Sequence, residues 1–262
     1  SQNPLPAAMM CYLAEVPLRL AHCHENPYQL LTDWVKDPDP ADGIRHEVKR
    51  HLDLVATVGF HTSNERLSLA VPVDDRERVR ALMRAKRLVP ERPVIVVHPG
   101  ATAPSRRYPP EQFAAAARRL VTEDGAQIVL TGDPSEAELL EQIRHLMDVP
   151  AVTLAGRLSL GELSAVIAES SLLLVNNTGP AHIAAAVGTP VVDLYALTNP
   201  QHTPWMVPSR VLFHDVPCRN CFRSVCPEGH GNCLRLVSPD AVVAAVRELI
   251  PTSGRILCTR SA

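Results

Sequence analysis

The chain has few aromatic residues: Phe, Trp and Tyr make up 4% of its 262 positions. That is too few for the stacking platforms with which proteins hold single-stranded nucleic acid. Charge bias is also missing. Lys and Arg number 26 against 28 Asp and Glu, for a formal net charge of -2, so bulk electrostatics gives no case for a nucleic-acid partner. No apolar run reaches membrane-spanning length, and no charged-then-apolar leader opens the sequence. The seven cysteines are too scattered for a small disulfide-stapled scaffold, and their odd number favours a reducing compartment. The expectation is a soluble, cytoplasmic protein able to bury one large core or two smaller ones.

What is present is organised around Leu172 to Leu194, LLLVNNTGPAHIAAAVGTPVVDL. The apolar run Leu172–Val175 breaks at a small polar turn. A helical run, Pro180–Val187, follows, and Gly188 and Pro190 stop it before a second apolar strand, Val191–Leu194. Asn177 or Thr178 is placed to cap that helix, and Gly179 admits close approach of a ligand to the backbone. A helix start beyond a strand end favours an anion such as a phosphate. An ordinary strand–helix–strand unit with an ordinary cap would read the same way.

Four other segments share this pattern. Val94–Val97 is a buried strand ending in HPGATAPSRRYPPEQF, where Arg106 and Arg107 precede a helix from Pro110 to Val121. Guanidinium forks on such a loop grip a diphosphate, unless they are merely solvated. Gln127–Leu130 leads through Thr131 and Gly132 into a helix reaching Met147, with Ser135 and Glu138 spaced as a capping box. Val152–Leu154 leads into a helix that Ser159 and Glu162 would cap. Val211–Phe213 is a last strand, and Ser238 caps a closing helix, Pro239–Ile250. Repeated β-α order predicts a parallel sheet with helices on both faces. The basic pair, the Thr131–Gly132 turn and the Asn177–Gly179 turn then line one rim, which favours a nucleotide or another phosphorylated ligand.

The first part of the chain is less regular. A helix is expected over Ala7–Ala14, a strand over Val16–Leu20 and an amphipathic helix over Asp42–Phe60, where His46, Glu47, His51 and Asp53 read as solvated or paired side chains. A strand is expected at Arg66–Val71 and a charged helix at Asp74–Ala85. The segment Leu88–Pro93, bracketed by prolines, marks a boundary. The expected division is 1–90, 91–250 and a tail, 251–262. Cys218, Cys221, Cys226 and Cys233, with His230 as a rival ligand, offer a site for a structural zinc ion; disulfides and free thiols are the alternatives.

Three stretches together resemble glycosyltransferase family 9, the lipopolysaccharide heptosyltransferase family. They are HPGATAPSRRYPPEQF, NNTGPAHIAAAVGTPVVDLYALTNP and CRNCFRSVCPEGHGNCL. The resemblance implies a GT-B fold, with a Rossmann-like C-terminal domain that holds the donor nucleotide and an N-terminal α/β domain on the acceptor side. It implies an inverting, metal-independent transfer of a sugar such as heptose. The donor would be a nucleoside diphosphate sugar resembling ADP-heptose, and the acceptor a lipopolysaccharide-core or related glycan at the inner membrane surface. Arg106 stands where the family has a lysine on the donor phosphates, and Asn177 where it commonly has Asp. His182 stands in the sugar-nucleotide signature, where helix capping or packing would equally explain it. The family's catalytic base lies in a loop that would precede Ser1. The N-terminal domain is therefore expected to be incomplete and prone to self-association. A non-catalytic nucleotide-binding or assembly module is the alternative.

Overall fold

A computed structural model describes residues 5–23, 25–36 and 44–250. The chain forms two compact units, Ser1–Glu65 and Arg66–Ala262. The expected tail, 251–262, lies outside the described residues.

The smaller unit holds helix α1 (Leu5–Leu13), strands β1 (Leu20–Cys23) and β2 (Asp33–Lys36), and helix α2 (Glu47–Ala56). The strands pair in parallel, with Leu20 opposite Asp33. Ala8, Cys23, Leu30 and Leu31 form its small core. The strand expected at Val16–Leu20 begins only at Leu20. The Arg19 guanidinium turns back onto the carbonyls of Val16 and Leu30, and its backbone is held by Thr32. Helix α2 is shorter than its amphipathic pattern: His46 caps it by accepting from the Val48 N–H, and Gly59 at φ 89 ends the chain's turn beyond it. Asp42 and Gly43 fall outside the described residues. The titratable groups here pair with one another, Glu47 with Arg50 and His51, and Asp53 with Arg45 and Lys49.

The larger unit begins with Arg66–Val71, where a strand was expected; among the described residues this stretch joins no strand ladder. Then come α3 (Val73–Ala85), β3 (Val94–His98), α4 (Pro110–Thr122), β4 (Gln127–Leu130), α5 (Ala137–Met147), β5 (Ala151–Thr153), α6 (Leu160–Ala168), β6 (Leu172–Asn176), α7 (Gly179–Val187), β7 (Val191–Leu194), β8 (Ser209–Leu212), α8 (Asn232–Arg235) and α9 (Pro239–Leu249). The strands form one parallel sheet in the order β5-β4-β3-β6-β7-β8. The chain winds outward from β3 to β5, then crosses back to lay β6 on the other side of β3. That reversal creates a switch point between β3 and β6, the place where open parallel sheets leave a crevice.

The central strands β3 and β6 are almost wholly apolar on both faces because helices cover both. Ile95, Val97, Leu172, Leu174 and Val192 pack with α4, α5 and α9. Their neighbours Val94, Val96, Leu173, Val175 and Val191 pack with α3, α6 and α7. Alternation of period two sorts the residues between the layers. Helix α3 belongs to this unit although it precedes the boundary expected at Leu88–Pro93. Val79 is buried in the second layer, Arg76 and Arg80 bridge to Glu169 at the C-cap of α6, and a side chain at Gly161 would overlap the Asp75 carboxylate.

Candidate functional site

A cleft of about 370 Å³ opens where β3, β4 and β6 end. Its floor comes from His98, Gly100 and Ala101 after β3. One wall is Thr131, Gly132, Asp133 and Glu136, another is Leu158, Leu160 and Leu163, and the far end is Thr178, Gly179 and Pro180 at the start of α7. Sequence reasoning placed Thr131, Gly132, Thr178 and Gly179 on this rim, and all four line the cleft. It missed Glu136, His98 and the leucines.

No side chain caps α7. Thr178 stands at the N-cap position, but its hydroxyl donates to the Asn176 carbonyl at 3.2 Å instead. Pro180 has no N–H and the Ala181 N–H donates to the Thr178 carbonyl at 3.0 Å, which leaves the Gly179 N–H as the amide at the cleft end of the helix. A Cβ on Gly179 would have no atom within 4 Å, so that backbone is open to an approaching group. The loop after β3 is held by Asn176, whose amide donates to the Pro99 carbonyl at 2.6 Å and accepts from the Tyr108 N–H at 3.1 Å. The Tyr108 hydroxyl in turn donates to the Val237 carbonyl at 2.9 Å.

Glu136 enters the cleft because the turn before α5 is capped differently from the expected pairing of Ser135 with Glu138. Asp133 accepts from the Ser135 N–H at 2.7 Å, and Glu136 accepts from the Asp133 N–H at 3.0 Å. Ser135 loses the role because its hydroxyl donates to the Asp133 carboxylate. This box turns the Glu136 carboxylate into the space over Gly100 and Gly132 that side chains there would fill. Burial raises its pKa, while the Arg107 charge opposes that. Ser159 and Glu162 form the capping box expected for α6. His98 donates to or accepts from the Thr131 hydroxyl at 3.0 Å, and burial lowers its pKa to about 4, so the imidazole is neutral at pH 7.

The remaining expected residues lie beside the cleft rather than in its lining. Arg107 donates from Nε to the Ala101 carbonyl at 2.8 Å, bracing the loop. Arg106 ends a 3-10 turn, Pro104–Arg106, and its buried Nε has no partner. Asn177 is buried with its Nδ2 unpartnered, and the His182 ring stands edge-on to His202, 6.5 Å between centroids. Burial pushes the Tyr195 hydroxyl pKa up to about 12, against the hydrogen bond from the His202 N–H, which lowers it.

Cys218, Cys221, Cys226, Cys233 and His230 line one small pocket, with Cys218 Sγ 3.8 Å from His230 Nε2. The thiols are free, and among the described residues no three His, Cys, Asp or Glu side chains form a group that could hold a metal ion. The cysteine loop does reach the site: Ser105, next to Arg106, donates from its N–H to the Ser224 carbonyl at 3.0 Å and from its hydroxyl to the Arg223 carbonyl at 2.8 Å.

Comparison with known proteins follows the same lines. Residues 1–231 match the family profile of glycosyltransferase family 9 (heptosyltransferase), and the chain belongs to that family. It is 27% identical over 263 residues to lipopolysaccharide heptosyltransferase 2 of Salmonella typhimurium, a match covering 96% of this chain and 74% of the relative. It is 34% identical over 138 residues to lipooligosaccharide heptosyltransferase 2 of Haemophilus influenzae, covering 51% of this chain and 40% of that relative. Among solved structures, a family 9 glycosyltransferase from Veillonella parvula superposes with a TM-score of 0.80 at 23% identity, over 92% of this chain and 70% of the other. ADP-heptose lps heptosyltransferase II of E. coli superposes with a TM-score of 0.70 at 24% identity, over 93% and 73%. These likenesses establish a shared GT-B-type α/β fold.

Proposed function

We propose that this chain carries the donor site of a glycosyltransferase that moves a heptose from ADP-heptose, or a closely similar nucleoside diphosphate sugar, to a lipopolysaccharide-core glycan. The observation that carries this reading is the uncapped amide end of α7 opening into a cleft at the sheet's switch point. A diphosphate oxygen accepts from the Gly179 N–H, and the positive end of the helix dipole favours its charge. Leu158, Leu160 and Leu163 supply a flat apolar wall for the base, and Leu160 is 73% exposed and ready to be covered. Glu136, in the middle of the cleft, accepts hydrogen bonds from the ribose hydroxyls. His98, neutral at pH 7, adds no charge that would compete for the phosphates.

The chemistry follows from this placement. The acceptor hydroxyl attacks the anomeric carbon from the face opposite the diphosphate, and the sugar–phosphate bond breaks as the new C–O bond forms. Stereochemistry inverts. The departing diphosphate gains negative charge, which the α7 amides and the Arg106 guanidinium stabilise, so no catalytic metal is required for that step. A base takes the acceptor's proton; none of the described residues is assigned that role. No helix among the described residues is long and apolar enough to cross a membrane. The proposed setting is the cytoplasmic face of the inner membrane, where the glycolipid acceptor would be met.

Isothermal titration with ADP, followed by a turnover assay with ADP-heptose and a heptose-acceptor glycan, tests the reading. Micromolar ADP binding that Thr178→Pro weakens at least tenfold is the expected result. Absence of ADP binding to the folded wild type would refute it.

A further inference from the structure

The cysteine loop carries chemistry that donor binding does not use. Cys218, Cys221, Cys226, Cys233, His230 and Thr198 all line one cavity of about 20 Å³. That exceeds the roughly 10–15 Å³ needed to hold one water and is far too small for a nucleotide. Thr198 is 3% exposed, and its hydroxyl has no partner. The cavity therefore suits one small polar molecule among the sulfurs.

The four sulfurs are not equivalent. His230 Nδ1 accepts from the Asn232 N–H at 2.9 Å, so the hydrogen of the neutral ring sits on Nε2. Nε2 faces Cys218 Sγ at 3.8 Å and donates to it. Cys226 Sγ accepts instead from the Gly231 N–H at 3.4 Å. Burial raises the pKa of Cys233, against a hydrogen bond from the Leu197 backbone, which keeps it a thiol at pH 7. Cys218 is thus the sulfur with an imidazole donor beside it. Cys221 follows three residues on, in the C-x-x-C spacing of thiol–disulfide centres.

The loop is strained around Cys221. Asn220 and Phe222 both have positive φ, 58° and 53°. Asn tolerates this region; the bulkier Phe is disfavoured there. Their N–H groups hold the shape by donating to the Leu197 and Thr198 carbonyls at 2.6 and 2.8 Å. The next two residues, Arg223 and Ser224, carry the carbonyls that grip Ser105 at 2.8 and 3.0 Å. Ser105 precedes Arg106 in the turn Pro104–Arg106.

We propose that Cys218 and Cys221 form an oxidisable pair, which hydrogen peroxide closes to a disulfide, loosening the loop's grip on the Pro104–Arg106 turn. The effect on donor binding rests on the donor-site reading above; the disulfide itself does not. The Cys218 sulfur attacks one peroxide oxygen and the O–O bond breaks, giving a sulfenic acid and one water. The Cys221 sulfur attacks that sulfur, the S–O bond breaks, and a second water departs. Two thiols and one peroxide become one disulfide and two waters, with two electrons passing from sulfur to oxygen. Closing a ring across Asn220 redraws the turn that holds Phe222, and the strained backbone relaxes once its two hydrogen bonds fail. In a reducing compartment such a disulfide is transient and senses oxidant.

The test treats the reduced full chain with hydrogen peroxide, quenches with an alkylating agent and maps tryptic peptides without reduction. Cuts after Arg210, Arg219, Arg223 and Arg235 leave Cys218 in 211–219, Cys221 in 220–223, and Cys226 with Cys233 in 224–235. The expected product is 211–219 joined to 220–223 by a bond that dithiothreitol reverses, with 224–235 alkylated twice. Isothermal titration should give an ADP Kd at least about fivefold higher for the oxidised chain than for the reduced one, recovered on reduction. Cys221→Ser should bind ADP within about twofold of the reduced wild type, before and after peroxide; Cys218→Ser carries the same test if that variant does not fold. No joined peptide, a joint to 224–235 instead, or thiols protected by a bound zinc ion overturns the pair. An oxidised chain with unchanged ADP affinity overturns the loosening. A reduced wild type that binds no ADP refutes the donor-site reading, and the peptide map still decides the disulfide.

Discussion

Gly100→Ala offers the sharpest test of how the cleft is built. A Cβ at this position would overlap the Glu136 carboxylate, and the nearest atoms all belong to that one side chain. The backbone need not move; the carboxylate must leave. Its departure breaks the hydrogen bond from the Asp133 N–H, now 3.0 Å. A bond of this kind contributes about 1 kcal/mol, which for a unit of this size lowers the melting temperature by about 2–4 °C. Loss of a charged acceptor for the ribose hydroxyls removes a further 1.5–3 kcal/mol, roughly, from nucleotide binding, or about a 10- to 100-fold rise in the ADP Kd. The assay is a double-mutant cycle with Glu136→Ala, read by urea unfolding and by titration with ADP. Both single variants remove the same carboxylate, so the double variant should lose about as much stability as either one, with a coupling close to 1 kcal/mol. Costs that add, or an ADP affinity indifferent to Gly100→Ala, would show that Glu136 does not occupy this space or does not meet the ligand.

On the proposed donor site, Arg106→Ala is expected to weaken ADP about tenfold or more and to flatten the dependence of binding on salt; salt dependence equal to the wild type would contradict that role for the guanidinium. His98 has a folded pKa of about 4 against an unfolded value of about 6.5, so stability present above pH 6.5 is lost as pH falls toward 4. Chemical unfolding of the wild type should weaken by up to about 3 kcal/mol over that range, and His98→Asn should show little of that loss; equal slopes would refute the assignment. The cysteine pocket gathers no metal-holding group among the described residues, which predicts less than stoichiometric zinc by elemental analysis. One equivalent of zinc, lost in Cys218→Ser, would mean that the loop closes on a metal. Met10, Leu13 and Leu18 in the smaller unit are 72%, 73% and 77% exposed, and light scattering should show association rising with concentration; a monomer at all concentrations would contradict it.

The strands of the larger sheet were legible because each is a short β-branched run that helices bury on both sides, so β4 spans the expected Gln127–Leu130 and β7 the expected Val191–Leu194. The rim followed from strand order alone. Two kinds of feature were not legible. Pairing cannot be read from a segment by itself: Arg66–Val71 has strand-like residues and no partner strand, while Asp33–Lys36, with little apolar pattern, is a strand because β1 lies beside it. Local competition among polar side chains is also hidden. Asp133, Ser135, Glu136 and Glu138 offer several capping arrangements within one turn, and the one adopted decides that Glu136 faces the cleft. Asp193 had no signal at all, since one acid in a strand reads as an edge or a rim until the sheet is seen to bury it.

The central claim is that the start of α7 holds a diphosphate at the switch point between β3 and β6. A crystal structure of this protein soaked with ADP tests it most directly. The account predicts both phosphates within hydrogen-bond distance of the Thr178 and Gly179 amides, with the ribose against Glu136 and the adenine on Leu160. ADP bound elsewhere, or phosphates turned away from that helix end, would contradict it.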